Sequence, residues 1–285
     1  MRRLTSALAL ALVSAAAGRA VAGDTACWID NGAVVTSAAL GDIAGDFILD
    51  LSAPHSLLHL TTAQGDGLGD AASAQDTLTL AAEHIPATFE VADLDDRSWD
   101  LPTNISGVIG ADVLAGYVVE LRFAPCRLTL SRRMASPPAV ASLPIEMVAG
   151  TPTVAATISD GATTLTGRFA IDTGAAGVRV SDTVARFSRL SARVDPMSRD
   201  HPPARLATLT LAGETGRDVP AALQSDLPAG ALGGIGTNVW SRYVLRLDLR
   251  RDQLMLISPD AVSGRRSAKS GDSSHRAGRR TATSR

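Results

Sequence analysis

The sequence predicts an all-β protein made of two homologous lobes with one short helix each. Three observations lead there. Residues 107–130, GVIGADVLAGYVVELRFAPCRLTL, align without a gap to residues 233–256, GGIGTNVWSRYVLRLDLRRDQLML, with nine identities in 24 positions. An upstream block repeats too, GDFILDLSA from Gly45 against GRFAIDTGA from Gly167, so that Asp50 lies 60 residues before Gly110 and Asp172 lies 64 before Gly236. Two blocks repeated in the same order at nearly the same distance are most simply explained by duplication. Finally, most of the chain consists of short apolar or alternating runs broken by Gly, Pro, Asp and Asn, the pattern of strands and turns.

The elements follow in chain order. Residues 1–22, MRRLTSALALALVSAAAGRAVA, put two arginines before an apolar run and small residues before Gly23, the layout of a secretory signal peptide. The run is shorter than the roughly 20 residues that span a bilayer. The expectation is therefore an exported protein, periplasmic or secreted, with no integral membrane segment after cleavage. The first lobe covers 24–132, with strands expected at Phe47–Leu51, Leu78–Leu80 and Tyr117–Phe123 and a short helix after Gly110. A linker at 133–144 carries Pro137, Pro138 and Pro144. The second lobe covers 145–260, with strands at Thr153–Ile158, Phe169–Ile171 and Leu206–Leu211 and its helix after Gly236. The small, polar, basic tail at 263–285 has no apolar periodicity and reads as disordered.

Composition narrows the function. The 285 residues are 45% hydrophobic and 20% charged, which excludes collagen-like, coiled-coil and wholly disordered chains. The overall charge of −2 conceals an acidic body, because 23–262 holds 17 basic against 28 acidic residues. Such a body repels nucleic acid, which binds chiefly through neutralised phosphates. Two cysteines are too few for a disulfide scaffold or a Cys-rich zinc module. Export would allow Cys27 and Cys126 to pair, tying the mature N-terminus to the end of the first repeat; two buried thiols are the alternative.

The segment FAIDTGAAGVRVS, Phe169–Ser181, carries the chemistry. An Asp-Thr-Gly alone is weak evidence. Here an apolar strand precedes it, an apolar-apolar-Gly block follows about sixty residues later, and the whole arrangement occurs twice. On these residues the chain resembles the aspartic protease clan, in particular the retropepsin-like aspartyl proteases of bacteria, in the pseudo-dimeric, pepsin-type arrangement. The resemblance covers nearly all of 40–257. It implies an acid-protease fold of two β-barrel-like lobes, a peptide or protein substrate, no cofactor, and an Asp172/Asp50 catalytic pair between the lobes. By the same resemblance Thr173 bonds across the interface, Gly174 and Ala175 shape the loop, and Gly110 and Gly236 pack behind the two loops. In-chain duplication further predicts a monomer.

Two carboxylates held close together share one proton. The ionised member takes a proton from water while the protonated one donates to the peptide carbonyl. The first lobe departs from the pattern, reading Asp50-Leu51-Ser52-Ala53. Leu51 lacks the hydroxyl for a reciprocal cross-lobe bond, and Ser52 places a Cβ where the family has glycine. Two readings therefore stand at this stage: an aspartic endopeptidase, or a catalytically inactive module of that fold which binds peptides or a partner protein in its cleft. Gly65, Gly67 and Gly69 in QGDGLGD suit a substrate-covering flap or an ordinary surface loop equally. His55 and His59 have i,i+4 spacing but no glutamate or third ligand, so no metal site is expected.

Overall fold

A computed structural model describes residues 23–99, 101–134, 138–185, 203–224 and 227–262. The segment expected to be a signal peptide (1–22), the basic tail and most of RVDPMSRDHPPAR lie outside the described residues. The first half contains β1 (Gly23–Ala26), β2 (Trp28–Asp30), β3 (Ala33–Leu40), β4 (Ile43–Leu49), β5 (Leu57–His59), α1 (Leu60–Gly65), β6 (Ser73–Leu80), β7 (Glu83–Ala92), α2 (Asp95–Ser98), β8 (Ile105–Ile109), α3 (Ala111–Leu114), β9 (Val118–Phe123) and β10 (Cys126–Ser131). The second contains β11 (Ala141–Pro144), β12 (Glu146–Val148), β13 (Thr151–Ser159), β14 (Thr164–Ile171), β15 (Val178–Ser181), α4 (Asp182–Ala185), β16 (Pro203–Leu211), β17 (Glu214–Gln224), β18 (Gly233–Ile235), α5 (Thr237–Trp240), β19 (Val244–Asp248), β20 (Gln253–Ile257) and α6 (Pro259–Val262).

The two lobes share one topology. In the first, β3, β4, β8, β5, β7 and β6 lie side by side and β6 returns to β3, closing a six-stranded barrel with β2 appended. In the second, β13, β14, β18, β15, β17 and β16 close in the same order, with β12 appended. Apolar side chains from inward-facing positions fill the barrels. Phe47 and Phe169, equivalent residues of the repeat, are fully buried, and Phe47 meets Phe89 edge-on at 6.0 Å. The expected helix of each lobe is α3 or α5; the other four helices among the described residues are six residues or shorter.

A third sheet joins the lobes in the order β1-β10-β9-β19-β20-β11. Its central pair is antiparallel, with Leu121 opposite Leu245, Glu120 opposite Arg246 and Val119 opposite Leu247. Glu120 and Arg246 are also equivalent in the repeat, so the pseudo-twofold axis passes between them. The end of the Pro-rich segment is a strand, since 141–144 forms β11 on the edge of this sheet. Ala141 and Leu143 explain it: they pack on the core and draw that stretch into the ladder. Cys27 and Cys126 are bonded to each other, closing the first lobe where β1 meets β10. No helix among the described residues is long and apolar enough to cross a membrane.

Candidate functional site

Each aspartate loop begins where an inner strand ends. Asp50 follows β4 and Asp172 follows β14, and their amides donate to the carbonyls of Ile109 and Ile235, both at 3.0 Å. The apolar-apolar-Gly segments therefore run beside the loops, as expected of β8 and β18. Gly110 and Gly236 are extended, so it is close approach that requires glycine. A Cβ would come within 2.7 Å of the His55 carbonyl oxygen in the first case and 2.2 Å of Gly177 O in the second. Behind the loops, Ala111 and Thr237 donate their amides to Ala53 and Ala175, each at 2.9 Å.

The two loops meet at the lobe boundary, with a hydroxyl lock made from one side. Thr173 is fully buried; its Oγ1 donates to the Leu49 carbonyl at 2.6 Å and accepts from the Leu51 amide at 3.0 Å. Two further second-lobe threonines reach across: Thr151 Oγ1 to the Ser52 carbonyl at 3.0 Å and Thr237 Oγ1 to the Gly32 carbonyl at 2.6 Å. Their first-lobe counterparts are Leu51, Ala33 and Ala111, none with a hydroxyl. Leu51 is instead fully buried in the apolar core.

Both carboxylates are buried, Asp50 to 1% exposure and Asp172 to 0%. Asp50 lies against the opposing loop, since a Cβ on Gly174 would sit 2.7 Å from Asp50 Oδ2. Their surroundings differ. Asp50 Oδ1 accepts from the Ser52 amide at 2.8 Å and the Ser52 hydroxyl at 2.6 Å, and Oδ2 accepts from Arg97 Nη2 at 2.5 Å. Asp172 Oδ1 accepts from the Gly174 amide at 3.0 Å; its Oδ2 meets Arg179 Nη2 as an ion pair not aligned as a hydrogen bond. Burial disfavours the charge on Asp50, but Arg97, Arg179 and the Ser52 hydroxyl outweigh it and hold the carboxyl below its ordinary range. Burial pushes Asp172 up; Arg179 opposes this and the negative charge of Asp50 adds to it.

Sequence reasoning missed both arginines. Arg97 belongs to α2, a one-turn helix with no buried residue. Asp95, at the start of that helix, tethers it through a carboxylate that meets His59 Nε2 at 3.2 Å. Arg179 lies on β15, the strand after the Asp-Thr-Gly loop, and its Nη2 also approaches Ser52 Oγ at 3.4 Å. The only available signal was its place in GVRVS, a charge at alternating strand spacing. The glycine-rich stretch forms the turn after α1, where Leu68 donates its amide to Ala63 and packs on the first-lobe core. Gly65, Gly67 and Gly69 have open space around them. Among the described residues, none of their bonds reaches either aspartate. His59 groups with Asp93 and Asp95 in ligand-like proximity, whereas His55 does not.

No family model and no curated protein matches the chain. Among solved structures, the crystal structure of aspartic proteinase from Irpex lacteus is similar at 15% sequence identity and a TM-score of 0.52, covering 86% of this chain and 99% of that one. At that identity the similarity establishes the fold: a two-lobed, all-β acid-protease architecture.

Proposed function

We propose that the chain is an exported aspartic endopeptidase in which Asp50 and Asp172 activate water for attack on a peptide carbonyl. The observation that carries this reading is the unequal environment of two carboxylates brought to one lobe boundary. Three aligned hydrogen bonds favour the ionised form of Asp50, whereas Asp172 receives one. Neighbouring acids whose surroundings push their pKa values apart divide into base and acid. Asp50 thus takes the proton from water, and Asp172 donates to the carbonyl oxygen as it becomes tetrahedral. Ser52 supplies both a loop amide and a hydroxyl to Asp50, so the departure from glycine adds a hydrogen bond to the base. Arg97, with about a third of its side chain exposed (32%), gives up Oδ2 to an arriving peptide, and the Ser52 amide and hydroxyl continue to favour the ionised form of Asp50. The Cys27–Cys126 bond supports export, because disulfides persist in oxidising compartments.

One observation favours a second reading, a non-catalytic module that binds peptides or a partner protein between the lobes. Two guanidiniums neutralise two buried carboxylates, and such a cluster is balanced with both acids ionised. The two readings separate on cleavage of a peptide library by the mature protein between pH 3 and 7, read by mass spectrometry beside Asp50→Asn and Asp172→Asn. The endopeptidase reading expects cleavage that both substitutions abolish. Folded wild-type protein that cuts nothing at any of these pH values would refute it in favour of the binding module.

A further inference from the structure

The centre of the joining sheet carries information about which lobes can pair. Glu120 and Arg246 hold the same position in the two repeats and face each other across the pseudo-twofold axis. Their side chains are buried to 5% and 8% exposure, and Arg246 donates through Nε to Glu120 Oε2 at 3.1 Å, with Nη2 on the same oxygen. Arg122 donates to the other oxygen, Oε1, at 3.2 Å. Any residue on a twofold axis meets its own copy when two identical lobes pair. Two first lobes joined this way would set Glu120 against Glu120; two second lobes would set Arg246 against Arg246. Like charges desolvated at the centre of an interface are strongly unfavourable, whereas a buried ion pair is a device for fixing register and partner more than for adding stability.

We propose that Glu120–Arg246 is the specificity element that makes the interface accept only an unlike lobe. Pairing of like lobes from two chains is thereby barred, and each boundary combines one Asp50 loop with one Asp172 loop. The inference is independent of whether those aspartates are catalytic.

The test uses full-length chains. Glu120→Arg and Arg246→Glu each place like charges on the axis, and each is expected to lower the thermal midpoint by several degrees. The double exchange, Glu120→Arg with Arg246→Glu, is expected to recover more than half of that loss. Refolding an equal mixture of the two single variants supplies a second readout. The first lobe of each then finds the opposite charge on the second lobe of the other, and light scattering is expected to show a two-chain species that neither variant forms alone. The proposal is overturned if the single variants match wild type, if the double exchange is as unstable as the summed single losses, or if the mixture yields only the separate variants at their original stability.

Discussion

Replacing Thr173 by valine tests whether the one-sided lock holds the lobes together. Valine keeps the side-chain shape, so no cavity forms, but it removes the hydroxyl that serves the Leu49 carbonyl and the Leu51 amide at 2.6 and 3.0 Å. Both backbone groups lie in the buried boundary, and Thr173 itself is fully inaccessible. Each buried polar group left without a partner costs about 1–3 kcal/mol, so the pair predicts a loss of about 2–6 kcal/mol. In a chain of this size each kcal/mol moves the thermal midpoint by about 2–4 °C, which gives a fall of about 4–24 °C. Thr173→Ser keeps the hydroxyl and loses one methyl, worth about 1 kcal/mol. Equilibrium urea unfolding of the three proteins measures the difference. A valine variant within about 0.5 kcal/mol of wild type, beside a serine variant that is less stable, would refute the lock, because burial of the methyl would then outweigh both hydrogen bonds.

Two other predictions concern charge and covalent closure. Asp50 has a lowered folded pKa, so its contribution to stability is present above the ordinary aspartate value of 3.8 and is lost as pH falls through the folded value. Arg97→Gln removes the nearest cause of that lowering; it should be less stable than wild type at neutral pH and converge with it under acid, as urea midpoints across a pH series would show. A gap that stays constant with pH would mean that Arg97 acts by packing. Replacing Cys27 and Cys126 together by serine opens a loop closed across a separation of 99 residues. The expected loss is about 2–5 kcal/mol, measured by denaturant unfolding against the oxidised wild type. No change would place the chain restraint elsewhere.

The sequence made the duplication legible because the same strand-loop-glycine unit had to be built twice. Gly110 and Gly236 were visible because close backbone approach leaves no room for a side chain there, and Asp50 and Asp172 because they hold the same place in the two copies of the unit. Arg97 was not visible. It reaches Asp50 from 47 residues away on a four-residue helix whose direction depends on how β7 leaves the barrel, and no local spacing encodes that. Arg179 stood in plain view seven residues after Asp172, yet which face of β15 it occupies follows from register with β17 and β18. Pro137, Pro138 and Pro144 suggested a linker, whereas 141–144 forms β11, which depends on an edge offered by β20 more than a hundred residues away.

The differences between the repeats fall where a symmetric protein would have the least freedom. In a dimer of identical lobes, every residue on or near the twofold axis is used twice, so a lock must be reciprocal and an axial charge must meet itself. Fusion into one chain removes both conditions. Leu51 can leave the hydroxyl work to Thr173 and join the core, as Ala33 and Ala111 leave theirs to Thr151 and Thr237. Glu120 can face Arg246 instead of a second glutamate. The same freedom lets Ser52 stand opposite Gly174, adding a hydroxyl to one carboxylate alone. On the proposed endopeptidase reading, asymmetry of that kind is what an acid and a base require of two equivalent residues. The first-lobe motif is on that reading a specialised half of an unequal pair, and substituting Leu51-Ser52 by Thr-Gly would bring the two aspartates' environments closer together.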